Sequence, residues 1–166
     1  MHETLVPIYA SSHAELLHEP WYSPDDWWMR LVQRYAITSD FGLVTGWINN
    51  EAIGYAFGSL DSSARHKDAV TLALPQISIY GSLYIFREFA VTPPWQGHGF
   101  GRQIHNALLS NRPEKAAHLL LRKDNHSARA AYTNWGWVSA GEFQPFPESP
   151  TFDAMALDLS AFRSTL

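Results

Sequence analysis

The chain has 166 residues, 46% of them hydrophobic and 17% charged, which suits one folded domain with a sizeable core and excludes a disordered chain. The formal charge of −4 gives no general attraction to nucleic acid, and the absence of cysteine excludes disulfides, thiolate catalysis and Cys-bound zinc. No apolar run is long enough to cross a bilayer, and Met1-His2-Glu3-Thr4 lacks the basic-then-apolar pattern of a signal peptide, so the expected location is the cytoplasm.

Taken in chain order, residues 4–10 read as a short strand and residues 11–19 as a weak helix stopped by Pro20. A stronger helix start follows: Ser23 can cap it, Pro24 fits its first position, and Asp25 and Asp26 favour the positive end of the dipole. Trp28, Leu31, Val32 and Tyr35 then fall on one apolar face. Leu43 to Ile48 and Ala52 to Leu60 read as a hairpin around Asn49-Asn50. Residues 61–80 read as a long connection with a partial helix or strand. Leu83 to Val91 is a strand ended by Pro93-Pro94, and a helix runs from the following glycines to Asn111, with Phe100, Ile104, Ala107 and Leu108 on one face. Ala117 to Leu121 is a strand, and Asn125 to Trp135 is a helix stopped by Gly136. Val138 to Phe143 and Phe152 to Leu159 make a last strand pair. The pattern predicts an α/β (α+β) domain over residues 1–166, with a central, mixed, mostly antiparallel sheet flanked by helices.

The segment Gln96-Gly97-His98-Gly99-Phe100-Gly101-Arg102 joins a strand to a helix. Glycine permits positive φ and close backbone approach, and the first N–H groups of a helix favour phosphate. A plain tight turn gives the same pattern. A nucleotide P-loop needs Lys-Ser/Thr after the glycines, and Arg102-Gln103 stands there instead. A dinucleotide site needs a first βαβ unit with an acidic residue about 20 positions on; Asp124 is near that distance, but several strands precede the motif.

Together with the later block Asn125, Ala128, Tyr132, Gly136 and Trp137, this turn resembles the GNAT (GCN5-related N-acetyltransferase) superfamily. That family carries Gln/Arg-x-x-Gly-x-Gly/Ala after its fourth strand, and its second block ends in Gly-Phe where this chain has Gly136-Trp137. The resemblance implies acetyl-CoA or another acyl-CoA as co-substrate, no metal, and direct attack of an amine on the thioester. It implies that main-chain groups of Phe89, Ala90 and Val91 hold the pantetheine arm. It places the pyrophosphate on the turn Gln96, Gly97, His98, Gly99, Phe100, Gly101 and Arg102. Asn125 and Ala128 belong to the cofactor-binding block, and Tyr132 would protonate the departing thiolate. The expected acceptor is a small-molecule amine. A protein amine, a longer acyl-CoA, a carrier-protein thioester, an aminoacyl-tRNA donor or a non-catalytic CoA-binding module are the alternatives. Members of the family often form homodimers.

Three further residues are candidates from their own chemistry. Glu88 alternates with Tyr84, Phe86 and Ala90 on one strand face, where a carboxylate is costly unless paired or functional. It is a candidate general base and acceptor contact, or one half of an ion pair. Relatives place a glutamate at positions that are Ile85 and Leu120 here, so this reading rests on the residue itself. In the resembled fold the region of Trp27 and Trp28 borders the acceptor site, which makes them candidates for enclosing the acceptor, or for packing against the sheet.

Overall fold

The computed structural model describes residues 1–166. Its helices are α1 (His2–Ser12), α2 (Pro24–Arg30), α3 (Ala64–Ala73), α4 (Phe100–Leu109), α5 (His126–Asn134) and α6 (Leu159–Ser164). Its strands are β1 (Gly42–Ile48), β2 (Glu51–Asp61), β3 (Leu83–Val91), β4 (Ala116–Leu121), β5 (Val138–Phe143) and β6 (Phe152–Asp158). They form one mixed sheet in the order β1-β2-β3-β4-β6-β5. β1 and β2 are antiparallel, β3 and β4 parallel, and β6 is antiparallel to β4 and β5. The expected mixed, mostly antiparallel sheet flanked by helices is present. Contacts divide the chain into two compact units, Met1–Ser59 with Glu88–Leu109, and Leu60–Arg87 with Ser110–Leu166. No helix is long and apolar enough to cross a membrane.

In the first unit, residues 4–10 are helical rather than extended. Leu5, Ile8 and Tyr9 recur at helical spacing and are all buried, so burying one helical face outweighs the β-formers and Pro7. Pro7 removes one N–H, and its missing partner would be the carbonyl of exposed Glu3, in a first turn that water reaches. The helix expected over 11–19 is replaced by the end of α1 and single 3₁₀ turns at Ala14–Leu16 and Pro20–Tyr22. α2 starts as its sequence indicates: Ser23 Oγ accepts from Asp26 N–H at 3.4 Å and Pro24 stands first. It then widens into a π turn, Leu31–Tyr35, closed by Ala36 N–H on Leu31 O at 2.8 Å. Trp27 and Leu31 are buried. Trp27 and Leu31, four apart, set the buried face, and Val32, one residue further round, is 40% exposed rather than buried.

The β1–β2 turn has Asn49 and Asn50 at φ 48° and 65°, the left-handed pair of a tight hairpin. Leu5, Ile8, Tyr9, Trp27, Leu31, Tyr55, Phe57 and Ala90 form the core of this unit. α4 buries Ile104, His105, Leu108 and Leu109; Ala107, expected on that face, is exposed, because the buried stripe is centred one residue further round. His105 is fully buried, and burial lowers its pKa to about 4, while its Nδ1 pairs with Asn106 Oδ1 at 2.9 Å.

In the second unit, α3 fills part of the stretch 61–80 and packs Val70 and Leu74 with Leu83, Ile85, Ala116 and Ala156. The same unit buries His66 and His118 with their Nδ1 atoms 2.8 Å apart and Phe143 stacked on His66 at 4.5 Å. One ring must donate and the other accept. If His118 donates, His66 Nε2–H faces Asp61 Oδ2 at 3.7 Å, which also meets Arg87 at 3.3 Å. Burial lowers the pKa of His66 to about 4 and, helped by His66 itself, that of His118 to about 3.

Candidate active site

The glycine turn follows the third strand, because residues 4–10 supply a helix in place of a first strand. Its three glycines serve different needs. Gly97 and Gly99 have φ of 76° and 84°, and a Cβ on either would meet nothing within 4 Å, so backbone conformation alone demands glycine there. Gly101 is set by closeness: a Cβ would stand 3.0 Å from Phe89 Cζ, so that ring would have to give by a few tenths of an ångström. The turn is braced from within. Gln96 Nε2 donates to Val91 O at 2.8 Å, and His98 Nδ1 donates to Gln96 O at 2.8 Å with its ring exposed. The exposed loop thus leads directly into the first turn of α4, to which Arg102 belongs, and the N–H groups of such a turn have no partner within the helix. Phe100 packs edge-on against Trp95 at 5.7 Å. Upstream, Ala90 and Val91 are buried and Phe89 is half-buried.

Glu88 lies in the same unit, and its neighbours come from four separate segments. His13, just after α1, brings Nε2 to 3.8 Å from Glu88 Oε1. Trp27 of α2 stacks on Tyr9 of α1 at 4.5 Å and tilts against Tyr55 of β2 at 5.6 Å. Burial raises the Glu88 pKa, opposed by His13, Arg30 and the indole of Trp27. Trp27 Nε1 is near enough to favour the charged form, but meets no acceptor at hydrogen-bond distance. The side chain is surrounded by protein atoms yet keeps 25% of its surface accessible, so it opens on solvent at one side. Trp27, 3% exposed, is a core residue whose polar edge faces this carboxylate. Trp28 is half-buried and packs edge-on against His2 at 4.9 Å. His13 and Arg30 carry no sequence signal, since nothing in their local pattern points at a strand so distant in the chain.

In the second unit, Asn125 is the N-cap of α5: Oδ1 accepts from Ala128 N–H at 3.1 Å and Ser127 Oγ at 3.3 Å. Ala128 therefore spends its amide on the cap. Tyr132 is 7% exposed and sits edge-on among Phe86, Trp135 and Trp137, with ring centroids 5.7 to 6.2 Å away. Gly136 has φ 97° and ends the helix, which lets Trp137 turn inward to 1% exposure. A groove of about 530 Å³ in the first unit, lined by Glu3, Pro7, Trp47, Glu51 and Pro94 among others, contains none of the expected site residues.

The chain belongs to the Acetyltransferase (GNAT) family, which it matches over residues 3–137. It is thus an acyltransferase of the EC 2.3.1 class, in a family that uses acyl-CoA. The fold is similar to that of PH1933 from Pyrococcus horikoshii OT3, with a TM-score of 0.70 and 16% identity over 95% of this chain and 89% of that one. It is also similar to the ribosomal-protein-S18-alanine N-acetyltransferase from Escherichia coli, with a TM-score of 0.63 and 18% identity over 95% and 87% of the two chains. The paia N-acetyltransferase from Thermoplasma acidophilum, solved with coenzyme A, gives a TM-score of 0.61 and 12% identity over 95% and 92%. Comparison with curated sequences finds no match.

Proposed function

We propose that this chain transfers an acetyl group from acetyl-CoA directly to a small-molecule amine within a ternary complex. The observation that carries the proposal is the glycine turn, where Gly97 and Gly99 take positive φ in an exposed loop that leads into the first turn of α4. Such a place suits the pyrophosphate of CoA. In this reading the backbone of Gln96, Gly97, His98, Gly99, Phe100, Gly101 and Arg102 binds the diphosphate. Main-chain groups of Phe89, Ala90 and Val91 align the pantetheine arm, and a strand amide polarises the thioester carbonyl. Asn125 and Ala128 contribute to the cofactor side. Glu88 takes the proton of the attacking amine, its raised pKa suiting it to that task, and Tyr132 protonates the CoA thiolate. The aromatic surroundings of Glu88, Trp27 foremost, support a compact amine as acceptor. In this reading Trp28 contributes to the outer margin of that acceptor region.

The test is CoA release from acetyl-CoA, corrected for hydrolysis, with spermidine, tyramine and an alanine-led peptide as acceptors. Turnover on spermidine or tyramine supports the proposal. Turnover on the peptide alone transfers the reading to a protein amine, the acceptor named for the Escherichia coli neighbour. Binding of CoA with no turnover on any acceptor leaves a CoA-binding module.

A further inference from the structure

We infer that His13 is a positioning and relay residue for the acyl transfer, ion-paired with Glu88 and passing the amine proton from that carboxylate to solvent. The inference rests on Glu88 being the base. Its ground is the hydrogen bonding of the His13 ring. Nδ1 lies 3.0 Å from Tyr9 O and 3.1 Å from Ser12 Oγ. A carbonyl oxygen only accepts, so Nδ1 carries a hydrogen. Ser12 Oγ donates its own proton to Tyr9 O at 3.0 Å, so towards His13 it too accepts. Both partners of Nδ1 demand the same tautomer.

In a neutral His13 ring, Nε2 is therefore bare, and it faces Glu88 Oε1 at 3.8 Å. A bare nitrogen lone pair beside a carboxylate is repulsive, and one proton between them turns the contact attractive. The surroundings favour holding that proton in the pair. The His13 ring is stacked on Tyr9 at 4.3 Å and on Tyr22 at 6.1 Å, which offer their negative faces to a charged imidazole. Arg30, Trp27, Tyr9 and Tyr55 complete the groups that act on Glu88. Arg30 is held away by Trp21 O at 2.8 Å and lies over the Trp21 ring at 4.3 Å. His13 keeps 19% of its side chain accessible, so the ring reaches water.

The step balances. Glu88, as carboxylate, takes one proton from the amine as the nitrogen–carbonyl bond forms. His13 gives its Nε2 proton to water and takes the proton from Glu88, which restores the starting pair. The thiolate separately gains its proton from Tyr132, which takes one back from water.

The experiment uses the fastest acceptor among spermidine, tyramine and the alanine-led peptide, with acetyl-CoA, across mildly acidic to basic pH. His13→Gln, which can donate from its amide but takes up no proton, is expected to lower kcat by about tenfold or more and to displace the acidic limb of the profile. The KM for acetyl-CoA should stay within about twofold. Added imidazole should restore part of kcat in His13→Gly. The double variant His13→Gln/Glu88→Gln should be no slower than Glu88→Gln alone, because the two act as one unit. Wild-type kcat and pH profile in His13→Gln, with Glu88→Gln still slow, would overturn the relay and leave the base standing. Wild-type rate in Glu88→Gln would overturn the base and the relay with it. Nitrogen NMR of the wild-type protein tests the geometry without turnover: the neutral His13 ring should carry its hydrogen on Nδ1, and an Nε2–H tautomer would overturn the inference.

Discussion

Tyr132 is held by ring packing against Phe86, Trp135 and Trp137, so phenylalanine at this position keeps the contacts and removes only the hydroxyl. Tyr132→Phe should therefore leave melting temperature and CoA affinity near wild type while kcat falls by about 10- to 100-fold. Isothermal titration with CoA and steady-state kinetics check the two halves; wild-type kcat in the variant would sink the general-acid role. Tyr132, Asn125 and the glycines stand out in the sequence because their spacing along one turn or one helix is local. Asn125 shows this best, since its cap on Ala128 N–H is a contact between residues three apart. Glu88 was legible only as an oddity, a charge on an apolar strand face. Its partners His13, Trp27 and Arg30 come from segments far away in the chain, and no periodicity links them to it.

At the scale of elements, strands and helices announced by turn or cap chemistry were read from sequence nearly to the residue. The Asn49-Asn50 hairpin, Ser23 with Pro24, the stop at Gly136, and β3 at Leu83–Val91 belong to this group. The misread elements are those where burial overrode local preference: α1 with its internal proline, and α2, whose buried face runs through Trp27 and Leu31 and leaves Val32 exposed. Close approach between elements adds a further constraint that no local pattern displays. A Cβ on Gly54 of β2 would stand 2.7 Å from Ala90 O and 2.9 Å from Ile104 Cδ1. Ile104 can swing aside, but the Ala90 carbonyl belongs to a strand backbone. Gly54→Ala is thus expected to destabilise the protein by about 1–3 kcal/mol, read as a lower denaturant midpoint with an unchanged slope. An unchanged midpoint would show that β3 yields at this point.

For the molecule as a whole, the buried histidines set its behaviour in acid. His66, His105 and His118 titrate at about 4, about 4 and about 3, all below the ordinary histidine value of 6.5. The unfolded chain takes up these protons near 6.5, while the folded chain resists until the lower values. Their contribution to stability is whole above about pH 6.5 and is lost as pH falls towards 4, by up to about 1.4 kcal/mol per pH unit for each group. Protonation of the His66–His118 pair would set two N–H groups against each other across 2.8 Å, so this unit should yield first. Melting temperature should drop steadily between neutral pH and pH about 4.5. Replacing His66 and His118 together by asparagine and leucine should flatten that slope, and an equally steep slope would assign it to other groups. Composition, turn chemistry and two motifs by themselves determined the fold class, most of the elements and the family, because those follow from local spacing and from which faces must leave water. Only the tertiary structure decided what surrounds the Glu88 carboxylate and which buried rings meet each other. Burial and side-chain pairing are properties of groups that meet in space, not along the chain.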